Sequence, residues 1–462
     1  MLSDEIYQQL AALVGDKKIT REATELSYWG KDSTSLIANA AAIIFPQNIE
    51  QLQAVVQLAN REKIALVPSA GRTGLSGGAV AAQGELVVSL RDMNSIKQFN
   101  AVDRTVVCEA GVITADLQAY AEQQGLYYPV DFASSGSSLI GGNISTNAGG
   151  IKVLKYGMTR QWVAGLKVVT GAGDILDMNK SLLKNNTGYD LQQLLIGAEG
   201  TLGFIAEATM RLTRSPENLT VLLLAVPSLS ALLQVLAHFQ AGMELTAFEF
   251  FSEQALQKVT TQLQLQRPCD EVGQYYTLIE FEAKDEAIVD QAMALFEQCL
   301  EQGIALDGVM SQSQAQYQSL WRLREEISSV LAQWQPFKHD LSVPPSQQGE
   351  FLLEVEKIIS ELAPQYQVIW YGHIGDGNVH LNILKPDELN KTDFDLSCKL
   401  LSEEIFKHLA SYQGSVSAEH GIGLLKKDYL HYSRSDLEIA LMKGIKQQFD
   451  PNGIMNPGKI FS

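Results

Sequence analysis

Between Ser134 and Gly150 the chain reads SSGSSLIGGNISTNAGG, five glycines and five serines in seventeen residues with no charge. A flexible linker of that composition would not interleave Leu139, Ile140 and Ile144. Hydroxyls (Ser135, Ser138, Ser145), amides (Asn143, Asn147) and bare backbone at Gly136, Gly141, Gly142, Gly149 and Gly150 are offered together. That mixture suits a heterocycle with a ribityl or ribose chain, and Lys155-Tyr156-Gly157 follows closely. Glycine is dense from Gly71 to Gly203, as where backbone must approach something closely.

The same style opens earlier, at Pro68-Ser-Ala-Gly71-Arg72-Thr73-Gly74-Leu-Ser-Gly77-Gly78. Successive N–H groups in such a loop make a nest for an anion such as a diphosphate. The loop is neither G-x-G-x-x-G nor a Walker A sequence, because no GK[ST] follows; a plain surface turn is the other reading. A third segment, Gly197-Ala-Glu199-Gly200-Thr-Leu-Gly203-Phe-Ile205, runs into a β-rich stretch.

Around these segments the pattern is mixed α and β. Ala41–Phe45 reads as a strand. Behind Pro46 a helix carries Leu52, Val55, Val56 and Leu58–Ala59 at helical spacing, and Ala65–Pro68 is a second strand, giving a βαβ unit. From about Leu219 strand–turn–helix units recur with few glycines, which predicts an α+β region with helices on one sheet face. After about Ser417 the glycine-rich style returns and ends in FDPNGIMNPGKIFS, read as a tail packing back onto the first domain's ligand. A length of 462 residues is roughly three domains' worth of chain.

Charge and cysteine narrow the function. The net charge of −18 repels phosphate backbones and anionic lipid, which disfavours nucleic acid as a partner. Cys108, Cys269, Cys299 and Cys398 lie far apart, so a disulfide framework, a zinc knuckle and an iron–sulfur cluster all lack support. Met1–Lys18 has no basic n-region or long apolar core, and Val221–Ala237 falls short of a membrane span, so a cytoplasmic protein is expected.

Six of the seven histidines follow residue 338. In Tyr371-Gly-His373-Ile-Gly-Asp376-Gly377-Asn-Val-His380-Leu-Asn382 the Asp-Gly pair predicts a two-residue hairpin turn. His373 would then oppose His380, with Asn382 on the same face, and two imidazoles so placed can converge on one metal ion. Core histidines bonded to carbonyls are the alternative. Glu419-His420, between small residues and before Gly421, offers a carboxylate ligand and a titratable base at one spot. His238, His408 and His431 are expected to be exposed, and His339 is given no role. Leu320–Ser329 reads as one helix with Arg324 and Ser328 as i,i+4 neighbours, and Lys338 follows. On residues alone, Arg324 could equally pair with a neighbouring glutamate.

PSAGRTGLSGG, SSGSSLIGGNISTNAGG and GAEGTLGFI, in this order, resemble the vanillyl-alcohol-oxidase-type FAD-binding domain. More narrowly they resemble the branch of flavoprotein 2-hydroxy-acid dehydrogenases holding D-lactate, glycolate and D-2-hydroxyglutarate dehydrogenases. The resemblance spans Ala38 to Phe461. It implies an α+β chain with a FAD-binding domain over 1–215, a substrate (cap) domain over 216–410, and a segment over 411–462 returning to the flavin. The first loop would hold the FAD diphosphate, the second line the flavin and ribityl, the third support the adenine side, and Asn456 lie near the isoalloxazine. Covalent relatives carry a histidine in the first loop; none stands here, which implies non-covalent FAD.

By the same resemblance His373, His380 and Glu419 are metal ligands, usually to zinc, with manganese and cobalt open. His420 is the base, and Arg324, Ser328, Lys338 and Asn382 contact substrate. Lactate dehydrogenases of this fold generally lack the lysine, and a second cation suits a dicarboxylate. The expected reaction is oxidation of D-2-hydroxyglutarate to 2-oxoglutarate, the C2 hydrogen leaving as hydride to flavin N5. D-lactate, D-malate or glycolate is the alternative substrate. Electrons would pass to an external acceptor, an electron-transfer flavoprotein or a quinone. Oligomeric state, a homodimer included, is left open.

Overall fold

The computed structural model describes residues 2–178 and 181–461; Met1 and Ser462, the outer limits of the expected first and third segments, lie outside them. Backbone contacts divide the chain into two units. The first is Met1–Gly149, Gly157–Ser215 and Glu419–Ser462, and the second is Gly150–Tyr156 and Pro216–Ala418.

In the first unit β1 (Ile19–Thr20), β2 (Ala42–Ile44), β3 (Leu66–Ser69) and β4 (Leu86–Ser89) form a sheet in the order β1-β2-β4-β3, with β2 and β3 each parallel to β4. The expected helix between β2 and β3 is Ile49–Glu62. The Asn48 side chain caps it by accepting from Gln51 N, and Leu52, Val55, Val56, Leu58 and Ala59 are buried. A second, antiparallel sheet follows the order β5 (Ile96–Asn100), β6 (Thr105–Glu109), β9 (Gly203–Arg211), β7 (Val163–Thr170), β8 (Ile175–Asp177). Both sheets contribute to one hydrophobic core.

The stretch Glu419–Ser462 belongs to this unit. Buried Asp450 accepts from Ile454 N and Met455 N, both at 2.9 Å, which fixes the FDPNG turn. Met455 then bridges to Leu66, and Asn456 N donates to Leu66 O at 2.8 Å.

The second unit is built on an antiparallel sheet of seven strands: β10 (Leu219–Val226), β11 (Ala247–Ser252), β12 (Tyr275–Glu282), β13 (Asp307–Met310), β14 (Phe337–Ser342), β15 (Gln367–His373) and β16 (Asn378–Leu384). Their order is β13-β10-β12-β11-β15-β16-β14. The helices cover both faces, not one as expected. Glu253–Leu263, Gln314–Glu325 and Ile327–Leu331 share a core with Ala247, Phe251, Leu278 and Ile369. Gln348–Leu362 lies against the opposite face, where Tyr275 donates to Glu356 at 3.3 Å. Strands as uniformly buried as β11 and β12 require cover on both sides.

Seven residues of the glycine-rich stretch, Gly150–Tyr156, belong to this second unit. Buried Lys152 is ion-paired with Glu280, whose carboxylate also accepts from Thr246 Oγ1, Tyr317 and Trp321. Lys155 pairs with Glu282 at 2.6 Å. Cys108, Cys269, Cys299 and Cys398 are buried free thiols, and no helix among the described residues is long and apolar enough to cross a membrane.

Candidate active site

The β15–β16 hairpin does not close through a two-residue turn. Ile374–Asp376 forms a 3-10 turn, Gly377 is left-handed, and the last pair is His373 opposite Asn378. The reason is Ile374, which is fully buried and draws the tip of the hairpin into the protein, where Gln348 Nε2 donates to Gly377 O. His380 therefore stands opposite Tyr371, a shift of two residues from the expected register. A two-residue shift preserves the face, so His373 and His380 remain diagonal neighbours, with ring centroids 5.3 Å apart and planes at 83°. Asn382 shares that face, fully buried, with Oδ1 lacking a hydrogen-bond partner in the protein.

On the neighbouring strand β11, alternation puts Glu249 on the same face. Its Oε1 lies 2.7 Å from His373 Nδ1, and its Oε2 lies 2.7 Å from Arg324 Nη2. Burial alone would raise this carboxyl, but His373 and Arg324 outweigh it and hold the pKa below the ordinary value. A carboxylate on Nδ1, as Glu249 is on His373, is the usual second partner of an imidazole that binds metal through Nε2. Asp340 on β14 stands opposite His380, 3.9 Å from its Nδ1, and accepts from Asn378 Nδ2 at 2.9 Å.

Leu320–Ser329 is not one helix. Gln314–Glu325 ends and Ile327–Leu331 begins, with Glu326 at ψ −6° between them. Arg324 and Ser328 therefore do not share a continuous helix face. Arg324 is buried against Glu249 and lies 4.8 Å from the Tyr371 ring centroid, with Nε lacking a hydrogen-bond partner. Ser328 is exposed and accepts from Lys338 Nζ at 3.1 Å. Lys338 sits opposite Asn382. It is itself exposed, yet protein around it displaces enough water to lower its pKa. His238 and His408 are half-buried rather than exposed, because each lies on the packed side of its helix, and His408 stacks on Phe351; His431 is exposed. Buried His339 bonds Ser402 Oγ at 2.8 Å.

Glu419 and His420 open the last stretch of the first unit. Immediately before them Ala418 N donates to Asp340 O at 3.2 Å. Immediately after, Ile422 N and Gly423 N donate to the Glu199 carboxylate at 2.7 and 2.8 Å.

The first glycine loop lies against the second: a Cβ at Gly71 would collide with the Ser137 carbonyl oxygen. No N–H from Gly71 to Ser76 donates to another group among the described residues. Six such donors in succession fit the diphosphate of FAD. Ser69 Oγ and Asn456 Oδ1, both buried, also lack partners in the protein. Arg72 has φ +61° and lies 3.8 Å from the Tyr28 ring centroid. The SSGSS half of the second segment is turn and loop, and Ile140–Thr146 is a short helix. Its side chains bond inward: Asn143 Nδ2 to Thr114 Oγ1 at 2.6 Å, and Ser145 Oγ to Gly141 O at 2.8 Å. Asn147 Oδ1 accepts from Arg160 N at 2.9 Å.

Sequence reasoning missed Glu249 and Asp340. The available signal was the acid itself: AFEFFS places a glutamate inside an otherwise apolar strand, and such a charge needs buried partners.

Residues 215–460 match the model of the FAD linked oxidases, C-terminal domain, and residues 40–179 match that of the FAD binding domain. The chain is 56% identical to the D-2-hydroxyglutarate dehydrogenase of Stutzerimonas stutzeri (strain A1501), over 100% of both chains. It is 50% identical to that of Xanthomonas citri pv. viticola, over 100% of this chain and 98% of the other. The mitochondrial D-2-hydroxyglutarate dehydrogenase of Arabidopsis thaliana is 33% identical, over 97% of this chain and 80% of the other. Among solved structures, p-cresol methylhydroxylase superposes with a TM-score of 0.77 at 15% identity, covering 98% of this chain and 95% of that one. A 4-ethylphenol oxidase from Gulosibacter chungangensis gives 0.76 at 15%, covering 100% and 98%. The last two likenesses show the fold alone, the vanillyl-alcohol-oxidase type.

Proposed function

Because the chain belongs to the FAD-linked oxidase family, as a FAD-dependent hydroxy-acid dehydrogenase, we propose that it oxidises D-2-hydroxyglutarate to 2-oxoglutarate with the help of a divalent metal. The observation that carries this reading is one sheet face. Across three adjacent strands it presents two imidazoles in contact, a buried amide whose oxygen lacks a protein partner, and a lysine paired with a hydroxyl. The two imidazoles suit a divalent metal with open positions for substrate, and by the family resemblance Glu419 is the third ligand beside His373 and His380.

Each side chain then has a task. Glu249 holds His373 by Nδ1 and so fixes its tautomer. Arg324, with Nε unused, and Lys338, with Ser328, hold the substrate's two carboxylates. Asn382 orients the C2 substituents. His420 takes the hydroxyl proton. A bound metal, zinc by family resemblance and otherwise manganese or cobalt, would supply a lowered hydroxyl pKa. FAD, held without a covalent bond by the Gly71–Ser76 N–H groups, would supply the acceptor for the C2 hydrogen and its electron pair. Electrons leave to an external acceptor, an electron-transfer flavoprotein or a quinone. Four free thiols suit a reducing compartment, the cytoplasm.

The test is turnover of D-2-hydroxyglutarate, D-lactate, D-malate and glycolate with an artificial dye acceptor, with and without chelator. The dicarboxylate should give the highest kcat/KM, and chelator should suppress all turnover. A higher kcat/KM on D-lactate would move the assignment to a monocarboxylate dehydrogenase. Full activity in protein shown metal-free by elemental analysis would remove the metal.

A further inference from the structure

Glu199 looks by sequence like part of a cofactor-binding segment, but its carboxylate is turned to another purpose. It is buried, it sits at φ +50°, and its two oxygens each receive one backbone N–H, from Ile422 at 2.7 Å and from Gly423 at 2.8 Å. Two N–H groups on one carboxylate give a charge-assisted, two-point clasp. The loop around the clasp is shaped to it. Gly421 has φ +77°, and a Cβ there would stand 2.9–3.0 Å from the Glu199 carboxyl atoms, so only glycine brings the turn this close. Glu199 is itself pinned: its N–H donates to Ser145 O at 2.7 Å, and Asn456 Nδ2 donates to its carbonyl at 2.7 Å and to Gly78 O at 2.9 Å. Beyond the turn, Leu424 N and Leu425 N donate to Ser76 O.

The residue before this turn is His420. From the geometry we infer that Glu199 is a positioning residue for His420: it fixes Gly421-Ile422-Gly423 and thereby the backbone from which the imidazole projects. The inference rests on the proposed role of His420 as base. A rigid attachment matters because a misplacement of about 1 Å from a remote change costs on the order of 100-fold in rate.

Glu199→Gln keeps the shape but removes the charge and aims an amide N–H at a backbone N–H. Three variants decide the matter: Glu199→Gln, His420→Ala and the double variant, each assayed for bound FAD by absorbance and for kcat and KM on D-2-hydroxyglutarate. Glu199→Gln should retain FAD and KM while kcat falls by about 10- to 100-fold. In the His420→Ala background the same change should cost little more, because a positioning residue has nothing left to position. Additive losses, lost FAD or an unaltered kcat would each overturn the inference. Full activity in His420→Ala would instead sink the base assignment, and this inference with it. If Glu199→Gln does not fold, Gly421→Ala displaces the same turn without touching Glu199 and should show the same selective loss of kcat; full activity in it would overturn the inference.

Discussion

Arg324 and Glu249 form a buried ion pair at 2.7 Å, and the same carboxylate holds His373 from its other oxygen. A residue expected to grip substrate and one expected to grip metal thus share one anchor. Glu249→Gln leaves a buried guanidinium without its counter-charge, which costs about 3–5 kcal/mol. It should also weaken metal binding by roughly 10- to 100-fold through the freed imidazole. Because the Glu249 pKa is depressed, its stabilisation is complete above the unfolded value of about 4 and is lost as pH falls through its lower folded value. Thermal melts of wild type and variant should therefore differ by a constant amount from pH 5 to 8 and converge in acid. Equal melting temperatures at pH 7 would contradict the pairing.

Asp376 behaves in the opposite sense. Burial is the largest influence and raises its carboxyl to about 6 from 3.8, with His373 opposing and Glu249 adding. A raised carboxyl favours the folded state below the unfolded value of 3.8, and that advantage is lost as pH rises through about 6. Asp376→Asn keeps a turn-forming side chain and abolishes the titration. In chelator-treated protein it should gain up to about 3 kcal/mol of stability at pH 7 and nothing below pH 4. Denaturant melts at both pH values check this; an equal gain at both would point to packing instead.

On the proposed function, Lys338 is the residue that selects the substrate. A charge-assisted hydrogen bond to a carboxylate is worth roughly 1.5–3 kcal/mol. Lys338→Ala should thus lower kcat/KM on D-2-hydroxyglutarate by about 10- to 150-fold, with far less effect on D-lactate. Equal losses on both would mean that Lys338 holds the carboxylate common to the two.

The metal and the flavin should be separable. His380→Ala should abolish turnover while the FAD absorbance stays, since the six donors Gly71–Ser76 belong to the other unit. Adding Zn²⁺ or Mn²⁺ to chelated wild type should restore activity, whereas His380→Ala should not respond.

Acid precipitation should release yellow FAD into the supernatant, because no histidine stands between Pro68 and Gly78. Flavin fluorescence retained in the pellet would show a covalent bond.

Local rules made part of this legible. The Ile49–Glu62 helix follows from its own spacing, since Leu52, Val55, Val56 and Ala59 bury as their positions imply. The face shared by His373, His380 and Asn382 also came through, because an error of two residues in register leaves side-chain direction unchanged. The turn itself did not, since Asp-Gly dictates a tight hairpin only where the next residue is free to stay in the ladder, and Ile374 is taken by the core. Glu249 escaped for a different reason: its partners lie 75 and 124 residues away, and no periodicity reports a contact at that separation.

The Lys152–Glu280 pair has a consequence for how the chain can be cut. A fragment from Pro216 to Ala418 would contain all seven strands of the larger sheet yet lack Lys152. Glu280, fully buried, would enter that fragment's interior with hydroxyl and indole donors but no cation. An uncompensated buried charge costs as much as a small domain has to spare. The second unit is therefore not a transplantable module in sequence terms: exchanging it between relatives succeeds only if seven residues from the middle of the first travel with it.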